Sequence, residues 1–397
     1  MKQLSTLPVC LILLLAACGG SDEDDSVSLT DLNIQPVNNA DLNSSYSNSK
    51  PDIHIPYFQS TPGTQASGSL RDAIAYIDAD GDQDTDIFMA TGDYLLEGEN
   101  DSILAINDGN QNFTSSTSEF SDDMPPATHA RKSIVTDFNG DGLKDILVFD
   151  HGFDSAPFPG SQLKLIIQDS IGLFSWSKLS EYTGFFHGGA AADIDNDGDI
   201  DFFAGGHEAA FYINDGNANF TIASDRYDSS FGKVFSAELV DVDKDGFVDL
   251  LVGAHERDGE ETSIYWGSST GAYSNNLRLK IPAVASFGAV LDFEVEDVNS
   301  DGQKDLIINR TRDGIDGEFG FYQGRTVQLL ISAGNRAFED RTVTNIDQPG
   351  GDNDIWFPWL RAQDYDNDMD IDFFPDDRSE GFVYINDGNG NFVKTEL

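Results

Sequence analysis

Cysteine is almost absent from this 397-residue chain: only Cys10 and Cys18 occur. Everything after residue 18 must therefore fold without a disulfide and find another staple. Positive charge is scarce too, with 23 Lys and Arg against 70 Asp and Glu and a formal net charge of −47. A chain so acidic repels a phosphate backbone, which excludes nucleic acid as a partner. Long apolar runs are missing: the stretch Leu4–Leu15, interrupted by Pro8 and Cys10, is too short for a permanent membrane helix. No long segment carries the 3.6-residue apolar period of a helix. Nor is there a nucleophile elbow, a P-loop, a dinucleotide fingerprint or a zinc-protease motif, which weighs toward binding over catalysis. What is present is apolar bulk, 39% hydrophobic residues with 28 Phe, so the charge does not mean disorder. A folded chain this acidic must neutralise its carboxylates, and divalent cations would do so.

The start of the chain reads as a targeting segment. Lys2 precedes the apolar stretch, and Leu15-Ala16-Ala17-Cys18 leads into Gly19-Gly20-Ser21-Asp22. This resembles the lipobox of bacterial lipoproteins. The resemblance implies that residues 1–17 are a signal peptide and that Cys18 becomes a lipidated N-terminus joining the protein to a membrane. Residues 18–49, rich in Asp, Asn and Ser, then form a tether, and 50–397 the folded body. The expected location is the cell envelope at the outer membrane, on its periplasmic or its surface face.

Six segments in the body fit Asp-x-Asp/Asn-x-Asp-x-x-x-Asp, with starts 48 to 67 residues apart. Each is followed by a short apolar run, such as Ile146-Leu147-Val148-Phe149 or Leu250-Leu251-Val252, that reads as a strand buried on both faces. A hairpin signal follows: Ile106-Asn107-Asp108-Gly109 recurs from Ile213 and from Ile385, and its Asn-Asp-Gly core favours a tight turn. The expectation is an all-β fold, a β-propeller of six four-stranded blades. A strand near Ile53–Phe58 could close the ring, and a seventh blade from residues 30–70 is the alternative. These repeats, with Phe231-Gly232, Phe287-Gly288 and Gly188-Gly189-Ala190, resemble the FG-GAP and VCBS repeats of integrin α-like propellers and bacterial surface proteins. The resemblance spans roughly Leu70 to the C-terminus and says more about fold and metal than about activity.

The loops carry the donors that calcium prefers, hard oxygens on a turn. The candidate ligands are Asp78, Asp80, Asp82 and Asp86 in the first loop, and Asp137, Asn139, Asp141 and Asp145 in the second. The third has Asp193, Asp195, Asp197 and Asp201; the fourth has Asp241, Asp243, Asp245 and Asp249. Asp297, Asn299, Asp301 and Asp305 make the fifth, and Asp364, Asp366, Asp368 and Asp372 the sixth. Asn139 and Asn299 lower the ligand charge. Gln83 and Met369 stand where the other loops place a turn glycine, which strains those two.

The strands flanking each loop should be antiparallel neighbours, so their far ends meet on the opposite face. His151, His207 and His255 each lie six residues past a closing Asp, while His129 and His187 lie just before leading strands. Scarce cations gathered there point to an anion site, with His151, His187, His207 and Arg257 as candidate binding or catalytic residues. Histidine protonates near neutrality, so binding there should strengthen as pH falls through about 6.5. The function expected is a calcium-binding surface lipoprotein that binds a glycan or protein partner without catalysis. The alternative is a polysaccharide lyase acting on an anionic polysaccharide, with His, Tyr and Arg at work.

Overall fold

The computed structural model describes residues 69–396 apart from short stretches (71–72, 91, 94–96, 111, 180–181, 229–230, 315–319, 349–355, 358 and 376–380). Cys18, the tether, the strand proposed at Ile53–Phe58 and nearly all of the alternative seventh blade lie outside the described residues.

Six four-stranded antiparallel sheets follow one another along the chain, each with its strands in sequence order from the inside outward. Blade I runs Ile74–Ile77, Asp86–Met89, Ile103–Asn107, Phe113–Ser116. Blade II is Ala130–Thr136, Asp145–Asp150, Lys164–Ser170, Leu173–Lys178, and blade III Phe186–Ala192, Asp201–Gly206, Ala210–Asn214, Phe220–Ala223. Blade IV is Val234–Val240, Asp249–Ala254, Ser263–Tyr265, Arg278–Lys280. Blade V is Ala289–Glu296, Asp305–Asp313, Phe321–Gly334, Ala337–Asp340, and blade VI Leu360–Gln363, Asp372–Pro375, Phe382–Asn386, Phe392–Glu396. The only α-helix among the described residues is the single turn Thr342–Asn345. This is the six-bladed, all-β propeller that the repeat period implies.

Burial explains why the second strand of each blade reads as a continuous apolar run. Ile146–Phe149, Phe202–Ala204 and Leu250–Val252 are covered on both faces by the blades on either side, and each residue is at most 1% exposed. The outer strands alternate or face water, as at Phe113–Ser116. Inner strands of successive blades are neighbours from I through VI. The ring closes by packing: Trp359 of blade VI joins Ile74, Tyr76, Ile87 and Met89 of blade I in one cluster. Arg361 lies over the Tyr76 ring at 5.4 Å.

The inner strands are not equivalent. Blade III contributes Gly188, where an added Cβ would stand 2.8 Å from the Ser236 Cα, so glycine permits blades III and IV to approach closely. Across the ring, Lys132 of blade II reaches Glu238 of blade IV at 2.7 Å, and its Nζ lies 5.5 Å from the Trp359 ring centroid. Side chains from alternate blades thus meet at the axis.

Candidate functional sites on two faces

Each Asp-rich loop joins the first and second strands of its blade, so all six lie on one face. Their architecture repeats. The opening Asp turns one carboxylate oxygen to the backbone N–H of position six, at 3.2 Å from Gln83 and 2.8 to 3.0 Å in the other loops. Position six is left-handed throughout. Gly198 takes φ 101° and Gly246 90°, while Gln83 at 75° and Met369 at 76° adopt the same region with a side chain, the expected strained pair.

The closing Asp does something that spacing alone did not reveal. All six are 0% exposed. In blade III, Asp201 Oδ2 accepts Ile194 N at 3.0 Å and Oδ1 accepts Asn214 N at 2.8 Å. Asp86, Asp145, Asp305 and Asp372 do the same with their own loops and third strands, and Asp249 with its loop and Gly267 N just past its third strand. The closing acid is thus a clamp between three elements as well as a candidate ligand. Burial pushes Asp201 and Asp249 up to about 7 and Asp86, Asp145 and Asp305 to about 6, partly offset by these hydrogen bonds.

In four loops, three carboxylate oxygens lie within 4.8 Å of one another: Asp78/Asp80/Asp86, Asp193/Asp195/Asp197, Asp241/Asp243/Asp249 and Asp364/Asp366/Asp372. Carboxylates that close, all hard oxygens, suit a divalent cation. The loops with Asn139 and Asn299 form no such three-acid group among the described residues. Instead Asn139 Nδ2 donates to Asp141 at 3.0 Å. Two arginines that the motif does not contain also serve these loops: Arg226 meets Asp195 at 2.7 Å, and Arg336 of blade V meets Asp243 and Asp245.

The opposite face carries the histidines. His151 follows the second strand of blade II and His207 that of blade III, while His129 precedes the first strand of blade II and His187 lies within that of blade III. Their rings form a continuous aromatic ribbon. His129 and His151 are 4.0 Å apart, and His151 stacks on Phe185 at 4.3 Å and on His187 at 5.5 Å. Phe185 stacks on His207 at 4.6 Å, and His187 on Phe235 at 3.7 Å. Trp356 extends the ribbon through Tyr322 at 4.6 Å. A cavity of about 480 Å³ opens beside it, lined by Asp154, Phe158, Phe185, His187, His207, Lys233, Phe235, His255 and Tyr322, with Gly206 and Val234.

His151, His187 and His207 therefore come together, but Arg257 does not line the cavity; its Nη1 donates to the Asp313 carbonyl at 3.2 Å. Arg310, in the second strand of blade V, is 0% exposed and paired with Glu256 at 2.9 Å and Gln328 at 2.8 Å. The pH expectation needs correcting as well. Burial and the nearby Arg131 guanidinium hold His187 well below its ordinary value. Burial, with the neighbouring charges, takes His129 to about 2 and His151 to about 3. These three are neutral at physiological pH.

Sequence reasoning missed Asp150, Asp154, Tyr322 and Phe235. Asp150 lies at the end of an apolar run beside His151, and Asp154 stands in a His-x-x-Asp spacing; both were visible signals. Tyr322 reaches the site from an insertion in blade V, which no local pattern announces. Its hydroxyl lies 3.3 Å from His187 Nε2, while His187 Nδ1 meets the Phe235 carbonyl at 2.8 Å.

Six four-stranded blades with an Asp-rich loop inside each first hairpin define the class, a β-propeller with acidic loops. More particularly, the chain carries FG-GAP-like repeats, matched over residues 78–148, 193–252 and 241–308. No curated protein matches it. Among solved structures it is similar to an Agrocybe aegerita lectin whose structure concerns recognition of non-reducing terminal N-acetylglucosamine. That match has 16% identity, covers 71% of this chain and 67% of the lectin, and has a TM-score of 0.41. It is also similar to BBS1N, solved in complex with ARL6DN, at 8% identity, 88% and 85% coverage and a TM-score of 0.45.

Proposed function

We propose that this protein is a calcium-loaded propeller that binds an anionic saccharide in the cavity opposite its acidic loops. The observation that carries the reading is the cavity lining, where flat rings (Phe185, Phe235, Tyr322) stand beside Lys233 on a chain of net charge −47. Apolar faces with a few placed polar groups are the ordinary make-up of a small-ligand site. Calorimetry with glucuronate-containing oligosaccharides and neutral counterparts tests it. Binding should favour the charged sugar, weaken with salt, and fall about tenfold or more in His207→Ala, with calcium-dependent melting retained. Equal affinity for neutral sugars, or an unaffected variant, would remove the proposal.

The acidic loops would hold the calcium through the Asp triplets, which suit it in donor type and spacing. Calcium supplies counter-charge and cross-links there, binding the native loops and not the unfolded chain. Metal analysis should find at least three ions per chain, and a chelator should lower the melting temperature. Lipid on Cys18 would anchor the protein at the outer membrane; Cys18→Ser should then leave the membrane fraction.

One observation favours a second reading, lysis of the bound polysaccharide. Tyr322 Oη, on the cavity wall, is hydrogen-bonded to neutral His187, an arrangement in which a phenol can exchange a proton with a uronate carbon. Turnover would show as absorbance of an unsaturated uronate, lost in Tyr322→Phe while binding persists.

A further inference from the structure

A second set of metal-type ligands lies on the histidine face, and its chemistry differs from that of the acidic loops. His129, His151 and Asp154 each offer one ligand atom, and the three atoms lie within 4.8 Å of one another. Two imidazole nitrogens and one carboxylate oxygen make the donor set of a borderline ion such as Zn²⁺, whereas calcium takes oxygens.

The backbone around this set is built to hold still. Asp150, 0% exposed, accepts Thr128 N and His129 N at 2.9 Å and Gly152 N at 3.0 Å. It is gripped in turn by Lys164 Nζ at 2.7 Å and Ser161 Oγ at 3.0 Å. One buried carboxylate thus fixes the chain at both histidines. His151 Nδ1 stands 2.8 Å from the Gly152 carbonyl, which can only accept, so Nδ1 carries the proton and Nε2 presents its lone pair. This is the outer hydrogen bond by which metal-binding histidines are usually oriented. Both rings are buried, while Asp154 is exposed and lines the cavity.

We propose that His129, His151 and Asp154 form a mononuclear site for a zinc-class divalent ion, distinct from the acidic loops, with its open coordination position reached from the cavity. Three protein ligands plus one exchangeable position is the pattern of zinc sites that bind a further ligand. Arg131 lies within electrostatic reach of all three side chains. A dication beside a guanidinium is repelled unless an anion stands between them, so a carboxylate or sulfate in the cavity would stabilise both. That coupling rests on the saccharide reading; the metal site does not.

The test uses the mature protein with calcium in excess to occupy the acidic loops, and Co²⁺ as a spectroscopic probe displaced by Zn²⁺. One Co²⁺ per chain should bind with visible d–d absorption, resist calcium and yield to Zn²⁺. Asp154→Asn, at an exposed position, and His151→Gln should each weaken it by about tenfold or more, with calcium-dependent melting unchanged in Asp154→Asn. Absence of a calcium-resistant Co²⁺ site, or an affinity untouched in both variants, overturns the proposal. Because the probe is metal alone, failure of saccharide binding does not touch this result.

Discussion

At the scale of single residues, burial decides what the histidines can do. An imidazole whose folded pKa is depressed stays unprotonated while the unfolded chain takes up a proton below about 6.5. For His129 and His151 stability is therefore complete above about 6.5 and lost as pH falls toward 2 to 3. Side-chain NMR of the metal-free protein should show His129, His151 and His187 as neutral tautomers throughout pH 5 to 8. A midpoint near 6.5 for any of them would mean that the ribbon is looser than its stacking distances state.

At the scale of the loop and its blade, two kinds of Asp share one motif. Asp201 is 0% exposed and bonds two backbone N–H groups from different elements, whereas exposed Asp197 accepts Asp199 N, at 3.1 Å, from its own loop. Leaving two buried donors unpaired costs about 2–5 kcal/mol. Asp201→Ala should therefore lose about that much in urea unfolding whether or not calcium is present. Asp197→Ala should change stability by less than about 0.5 kcal/mol in chelator and lose stability only when calcium is added. Equal behaviour of the two in chelator would dissolve the distinction between clamp and ligand. The blades are also stitched to each other: Asn214 Nδ2 donates to the Phe138 carbonyl at 2.7 Å, and Asn386 Nδ2 to that of Val298 at 2.8 Å. Those asparagines open the Asn-Asp-Gly hairpins, so one motif both turns the chain and joins a blade to the one before it.

At the scale of the whole molecule, ring closure concentrates charge at the axis. Burial pushes Glu238 up to about 7 despite Lys132. Burial, with their acidic neighbours, raises Asp292 and Glu294 well above the usual carboxylate range. These acids keep protons in the folded protein that the unfolded chain releases near pH 4, so their contribution to stability falls as pH rises above about 4, for Glu238 through about 7. Lys132, 2% exposed, is the partner that limits this loss. Removing one member of a buried pair costs about 3–5 kcal/mol, so Lys132→Met should lose about that at pH 8. The loss should be distinctly smaller at pH 5, where the acids are protonated. Comparing variant with parent at each pH cancels the titration of the shared loops; a loss independent of pH would show that packing on Trp359, not charge, is what Lys132 supplies.

The propeller, six of its repeat units and its acidic loops were legible in the sequence because they rest on local, repeated signals, whereas the choice between six and seven blades was not. Those signals are a two-faced apolar run, a turn that needs positive φ, and alternating carboxylates a few residues apart. The placement of five histidines on one face was legible too, since antiparallel neighbours share their far ends. What only the tertiary structure decided was everything that depends on which blades meet. The Lys132–Glu238 contact spans 106 residues, and Tyr322 meets His187 across 135. The neutral state of the histidines, the second duty of each closing Asp and the exclusion of Arg257 from the cavity likewise follow from burial and ring geometry. A repeat specifies each blade through neighbours a few residues away, but the axis and the cavity belong to no blade, and their chemistry exists only once the ring is closed.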